Sequence, residues 1–337
     1  MTGIRTVRAF VVGPTGVGKT DVALVLASRL RADILSVDSR QIYRRLEIGT
    51  AKPTAAQRVR VRHHLLDLLD PRDRCSVGRF VQLFRAAHDE LAGRGAAALA
   101  VGGAGLYADA CLGRLHVLPP ADDVLRARYA EMARSQGSGA LHARLAALDP
   151  LTAARLSPRD VQRVTRALEV AESTGEALSE RFRAAAEQGV CPPDTPVVYL
   201  TRSRAELYAR IENRCRAMVE AGLPDEVRNL LESGVPRDAP GMKTVGYAEW
   251  TYWAAGECDR DEAMALFARN SRRYAKRQET WFRNRHPDRI EIRIEPGEDT
   301  ARTADRIAAA ITAECSAQLG KDDNRARSDP EAPPVPP

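Results

Sequence analysis

Short apolar runs alternate with amphipathic stretches along most of the chain, and this alternation predicts an α/β protein. Continuous apolar residues bounded by glycine or polar residues predict strands at 8–12, 32–37, 97–101 and 197–201. Between 289 and 294 the apolar positions Ile290, Ile292 and Ile294 alternate, which predicts a fifth strand. Apolar residues at helical spacing predict helices at 19–30, 204–221, 224–233, 246–255 and 260–284. Strands separated by helices form parallel sheets, and such sheets bind ligands at the carboxyl ends of their strands.

Residues 121–190 break this pattern. They show no strand run, and their apolar positions recur at helical spacing (Leu141, Leu145, Leu148; Val161, Val164, Leu168), with Gly137 and Gly175 placed as helix stops. A tract of that length is too long for a bare loop, so an inserted all-helical lobe over the ligand edge of the sheet is expected. The final residues, GKDDNRARSDPEAPPVPP, are polar and proline-rich and have no apolar period. The expected organisation is a catalytic core at 1–120 and 191–318, a helical insertion at 121–190 and a disordered tail at 319–337.

Composition narrows the class. The chain has 337 residues, 44% hydrophobic and 28% charged, with no stretch approaching 18 uninterrupted apolar residues, so no membrane span is expected. The first strand begins almost at once and leaves no room for a signal peptide, so a cytoplasmic location is expected. The six cysteines, Cys75, Cys111, Cys191, Cys215, Cys258 and Cys315, lack metal-ligand spacing and read as reduced thiols. The His63–His64 pair has no third ligand at a useful spacing and reads as structural. The net charge of +6 is unevenly spread. From Arg40 to Arg62 seven Lys/Arg stand against Glu47 alone, and from Leu266 to Arg289 eight stand against Glu279 and Asp288. Such clusters suit a polyanion, although charge runs are commonly no more than solvated faces.

The strongest chemical signal is Gly13, Pro14, Thr15, Gly16, Val17, Gly18, Lys19 and Thr20, a GxxxxGK[ST] loop between the first strand and first helix. Its backbone N–H groups and the positive end of the helix would cradle two linked phosphates. Lys19 would supply a point charge and the Thr20 hydroxyl a ligand for Mg²⁺. An ATPase or GTPase of this fold needs a second acid ending a core strand, but the strand at 97–101 ends in Gly102-Gly103. The acid near the loop is Asp38, placed as a general base, a metal-sphere ligand or the cap of a following helix.

Several segments carry a resemblance. SVDSRQIYRRLEIGTAKP at 36–53, HHLLDLLDP at 63–71, VGGAGLY at 101–107, QRVTRALEV at 162–170, GLPDEV at 222–227, VGY at 245–247 and RRYAKRQETWFR at 272–283 resemble, in order, the motifs of the tRNA dimethylallyltransferase family. The likeness spans about 8–285. It implies a P-loop NTPase-like core and transfer of a prenyl group from dimethylallyl diphosphate to N6 of adenosine 37 in the tRNA anticodon loop. The partners implied are tRNA, dimethylallyl diphosphate and Mg²⁺, with the chain acting as a monomer.

The resemblance also assigns roles. The loop holds a prenyl diphosphate, with Arg214 reaching it as well, and Asp38 accepts the proton of the adenine amine. Asp38, Ser39, Arg40, Gln41 and Ala104 are implied in tRNA binding, with Gln162, Arg163, Val164, Thr165 and Arg166 on the insertion. Met242, Lys243, Thr244, Val245, Gly246 and Tyr247 are implied as well. On the residues alone, Arg269, Arg273, Lys276 and Arg277 fall along one helix side as a backbone-binding stripe, whereas Trp281 and Phe282 read as core.

Three departures stand out. Arg40 occupies a position where the family commonly has Met, Ala104 replaces a threonine, and Ala248 follows Tyr247 where a basic residue is usual. They leave two other readings in play, an adenylate isopentenyltransferase acting on a free nucleotide and a P-loop kinase of another kind.

Overall fold

Parallel pairing organises every strand of this computed structural model, which describes residues 5–115, 118–119, 121–184 and 189–328. The strands are β1 (Val7–Val12), β2 (Ala32–Val37), β3 (His63–His64), β4 (Ala97–Gly102), β5 (Val197–Thr201) and β6 (Ile290–Arg293). They form one sheet in the order β3-β2-β4-β1-β5-β6. The helices before β5 are α1 (Lys19–Leu30), α2 (Ala55–Arg60), α3 (Val77–Gly93), α4 (Gly105–Cys111), α5 (Asp123–Gln136), α6 (Ser138–Leu148), α7 (Pro150–Ala153), α8 (Val161–Thr174) and α9 (Leu178–Ala184). Those after it are α10 (Arg204–Glu220), α11 (Leu223–Glu232), α12 (Tyr247–Ala254), α13 (Arg260–Arg285) and α14 (Thr300–Ser328).

The sheet has one strand more than the five expected. β3 is two histidines at an edge, and two polar residues leave no apolar run to detect. His64 Nε2 lies 2.9 Å from Asp33 Oδ2 and His63 Nδ1 lies 2.7 Å from Val61 O, so both rings serve the edge of the sheet. α14 was also missed, and its helical span enters the stretch expected to be disordered; residues 329–337 lie outside the described residues.

β1 and β4 are apolar almost throughout because both faces of a central parallel strand are covered. Register then fixes where the site forms. Val12 pairs with Gly102, and Gly102 pairs with Val37, so β1, β4 and β2 end on one line across the sheet. A Cβ at Gly102 would stand 1.9 Å from Val37 O, which only glycine avoids.

The chain divides into two compact units, one comprising 1–75, 83–108 and 194–337, the other 76–82 and 109–193. The first contains the sheet, with α14 packed on α1. The second has its own core of Tyr129, Leu141, Leu145, Val164, Leu168 and Val170. Its buried acid Glu169 is matched by Arg126 Nε at 3.0 Å and Arg166 Nη1 at 2.6 Å, as a charge so placed requires. No helix among the described residues is long and apolar enough to cross a membrane.

Candidate active site

The line of strand ends places three loops side by side. From β1 comes the Gly13–Lys19 loop, from β2 the turn at Asp38, and from β4 the Gly103–Gly105 segment. Gly18, at φ +104°, is the N-cap of α1 and offers no side-chain cap. Among the described residues the backbone N–H groups of Gly16, Gly18, Lys19 and Thr20 have no hydrogen-bond partner. Four unpaired donors at the positive end of a helix form an anion cradle.

Lys19 folds back over this loop, its Nζ donating to Gly13 O and Pro14 O at 2.8 Å each. Burial pushes its ammonium from the ordinary 10.5 down to about 7; the Asp38 carboxylate opposes that shift and the Arg214 guanidinium adds to it. Burial lowers Arg214 as well, again with Asp38 pulling the other way. Two cations and one carboxylate therefore share a half-buried site.

Asp38 caps no helix. Its Oδ1 accepts from Arg40 N at 2.8 Å and more loosely from Gln41 N at 3.4 Å, making a tight turn, while Oδ2 has no hydrogen bond among the described residues. The cleft that Asp38 faces has a cavity volume of about 100 Å³ and is lined by Lys19, Thr20, Arg40 and Arg214 among others. Ile211, Met218, Val245 and Phe267 contribute apolar lining.

α13 supplies groups that sequence reasoning missed. Gln278 accepts from Thr15 N at 2.8 Å and donates through Nε2 to Gly103 O at 2.9 Å, tying the loops after β1 and β4 together. One turn earlier Tyr274 lies under Arg40, whose Cζ is 3.8 Å from the ring centroid. Ser271, Tyr274 and Gln278 recur at i, i+3 and i+7, a polar line on the face that also buries Ala275 and Phe282. Polar residues interrupting an amphipathic helix's buried face were the available signal.

Comparison with known proteins agrees with this architecture. The profile of the IPP transferase family matches residues 41–285, and that of isopentenyl transferases matches 6–68. A tRNA dimethylallyltransferase of Methylibium petroleiphilum is 46% identical, with 80% of this chain and 84% of that protein aligned. One from Halorhodospira halophila is 43% identical over 81% and 88% respectively. This chain belongs to the IPP transferase family. Among solved structures, the full-length tRNA isopentenylpyrophosphate transferase of Bacillus halodurans superposes with a TM-score of 0.67 at 35% identity, covering 92% of this chain and 98% of that one.

In this IPP transferase the remaining predicted residues fall into different settings. Val164, Met242 and Tyr247 are fully buried and Thr244 nearly so, leaving Lys243 exposed and Val245 on the cleft. Gln162 and Arg163 are exposed on α8 and Thr165 is half-buried. Arg166 turns inward, to Glu169 and to Pro119 O, and so leaves the exposed face that Arg163 occupies. Gln41 spends its amide internally, accepting from Ser36 Oγ and donating to Thr50 O and Ala51 O. Ser39 and Ala104 are half-buried, and Ala104 N donates to Val37 O at 3.2 Å. On α13, Arg269, Arg273, Lys276 and Arg277 are exposed together, while Phe282 is core and Trp281 half-buried.

Proposed function

We propose that the protein transfers a dimethylallyl group from dimethylallyl diphosphate to N6 of adenosine 37 in tRNA, releasing pyrophosphate. The observation that carries this reading is the adjacency, across Lys19, Thr20 and Arg214, of an anion cradle and a carboxylate whose second oxygen is unengaged. The aligned relatives, named for this activity, support the choice of substrates.

The allylic C1–O bond breaks with its electron pair passing to the bridging oxygen, and charge gathers on the departing pyrophosphate. The free N–H groups of the loop, Lys19 and Arg214 are set to receive that charge without reorganising. The N6 lone pair forms the new C–N bond, and the nitrogen becomes acidic as it does so. Asp38 takes its proton, with Oδ1 fixed by the Arg40 amide so that Oδ2 is presented to the base. The apolar lining of Ile211, Met218 and Phe267 suits the five-carbon chain and would limit water at the allylic cation.

Among the described residues no three His, Cys, Asp or Glu side chains gather as a metal-holding group. The exposed Thr20 hydroxyl fits Mg²⁺, which binds through few protein ligands and mainly through substrate phosphates and water. When bound, the ion would add positive charge beside the leaving group. The enzyme acts as a monomer in the cytoplasm, where tRNA is available.

The test offers labelled dimethylallyl diphosphate with unmodified tRNA, AMP or ADP in parallel. Label on tRNA alone is expected. Label on AMP or ADP but not on tRNA would replace this reading with that of a free-nucleotide isopentenyltransferase.

A further inference from the structure

A phosphate-binding loop carries carbonyls as well as amides, and a carbonyl turned inward repels an anion. Four of the carbonyls here are each engaged by a cation. Lys19 holds those of Gly13 and Pro14. The other two are taken from the α10 side: Arg210 Nε donates to Gly16 O and Arg202 Nε donates to Val17 O, each at 2.9 Å. The peptide unit is planar and trans, so a carbonyl held in one direction turns the next N–H in the other. Holding Val17 O thus aims Gly18 N–H, one of the unpartnered donors, into the cradle.

The two arginines are themselves placed. Arg202 is only 10% exposed and is ion-paired to Glu206 one turn along α10. The other Glu206 oxygen, Oε2, is buried without a partner, which fits an acid retained for its hold on Arg202. Both guanidiniums converge on Gly18, since a Cβ there would lie 3.7 Å from Nη2 of each. Arg204, between them in sequence, is exposed and touches nothing in the loop.

We propose that Arg202 and Arg210 are positioning residues that clamp the diphosphate loop through its Val17 and Gly16 carbonyls and keep its backbone set for the allylic diphosphate before substrate arrives. The proposal rests on the reading of Gly13–Thr20 as a diphosphate site. It separates two kinds of arginine at and before α10: Arg214 lines the cleft beside Lys19 and Asp38, whereas Arg202 and Arg210 bond the loop backbone.

The experiment uses the full chain and the variants Arg202→Met, Arg210→Met, Arg210→Gln and, as a control with the same loss of charge, Arg204→Met. Inorganic pyrophosphate is titrated calorimetrically, and KM for dimethylallyl diphosphate, KM for tRNA and Tm are measured beside it. Each clamp variant is expected to raise the pyrophosphate Kd and the KM for dimethylallyl diphosphate about tenfold, as the loss of one charge-assisted hydrogen bond implies. KM for tRNA and Tm are expected to stay near wild type, Arg204→Met to behave as wild type, and Arg210→Gln, which keeps a donor, to recover part of the loss. Wild-type pyrophosphate affinity in both Met variants would overturn the clamp. An equal loss in Arg204→Met would also overturn it, by showing a general charge effect, as would a parallel fall in Tm and tRNA affinity. Pyrophosphate binding needs no acceptor, so failure of the clamp and failure of the tRNA assignment appear in different measurements.

Discussion

The loop after β1 and the turn after β2 start on one line across the sheet and use their hydrogen bonds in opposite ways. In the first, carbonyls are occupied by Lys19, Arg202 and Arg210, and amides are left open. In the second, the amides of Arg40 and Gln41 are spent on Asp38 Oδ1, and a carboxylate oxygen is left open. One surface offers donors to an anion and its neighbour offers an acceptor to a proton. β4 lies between β1 and β2 in the sheet, and Gln278 bridges the loops after β1 and β4. The difference teaches that the polarity of a strand-end loop depends on which of its own backbone groups are already used, more than on its residue types.

The comparison breaks most sharply at Asp38. Asp38→Asn keeps the shape and removes the base, and kcat is expected to fall about 10²–10⁴-fold while tRNA affinity changes little. An equal collapse of tRNA binding would make Asp38 structural. On the donor side, Lys19→Met is expected to lower kcat/KM for dimethylallyl diphosphate about 10²–10³-fold, leaving tRNA binding intact. Gln278→Leu tests the bridge. It strands Thr15 N–H and Gly103 O, each costing about 1–3 kcal/mol if left buried, so a lowered Tm and a raised KM for dimethylallyl diphosphate should appear together.

The smallest effect is a titration. With Lys19 at about 7 in the free protein, its ammonium is largely lost above that pH, and binding a diphosphate restores it. Pyrophosphate binding at pH 8 should therefore take up a fraction of a proton, seen as a binding enthalpy that varies with the buffer's ionisation enthalpy. The sign for stability follows from the same shift. Between pH 7 and 10.5 the unfolded chain holds more protons at Lys19 than the folded one, so ligand-free stability should rise with pH there, and Lys19→Met should remove that rise.

Much of the fold was legible because parallel strands and amphipathic helices leave periods in the sequence. β2 was expected at 32–37 and is Ala32–Val37, and α1 was expected at 19–30 and is Lys19–Leu30. β3 was not, since a two-residue polar edge strand exists only through its pairing with β2. The site was legible where a motif is contiguous, as in Gly13–Thr20. It was opaque where partners come from far along the chain, as when Gln278 reaches back to Thr15.

By itself the sequence determined the α/β class and the family likeness, and pointed to the loop at Gly13–Thr20 and the acid at Asp38, because each is written in local spacing. Only the tertiary structure decided that Arg166 turns inward while Arg163 stays exposed, that Gln41 is consumed within the protein, and that Arg202 and Arg210 bond the carbonyls of Val17 and Gly16. Those outcomes depend on which hydrogen-bonding group meets which after the chain has packed, and a residue's type does not say whether its partner will be solvent, substrate or backbone.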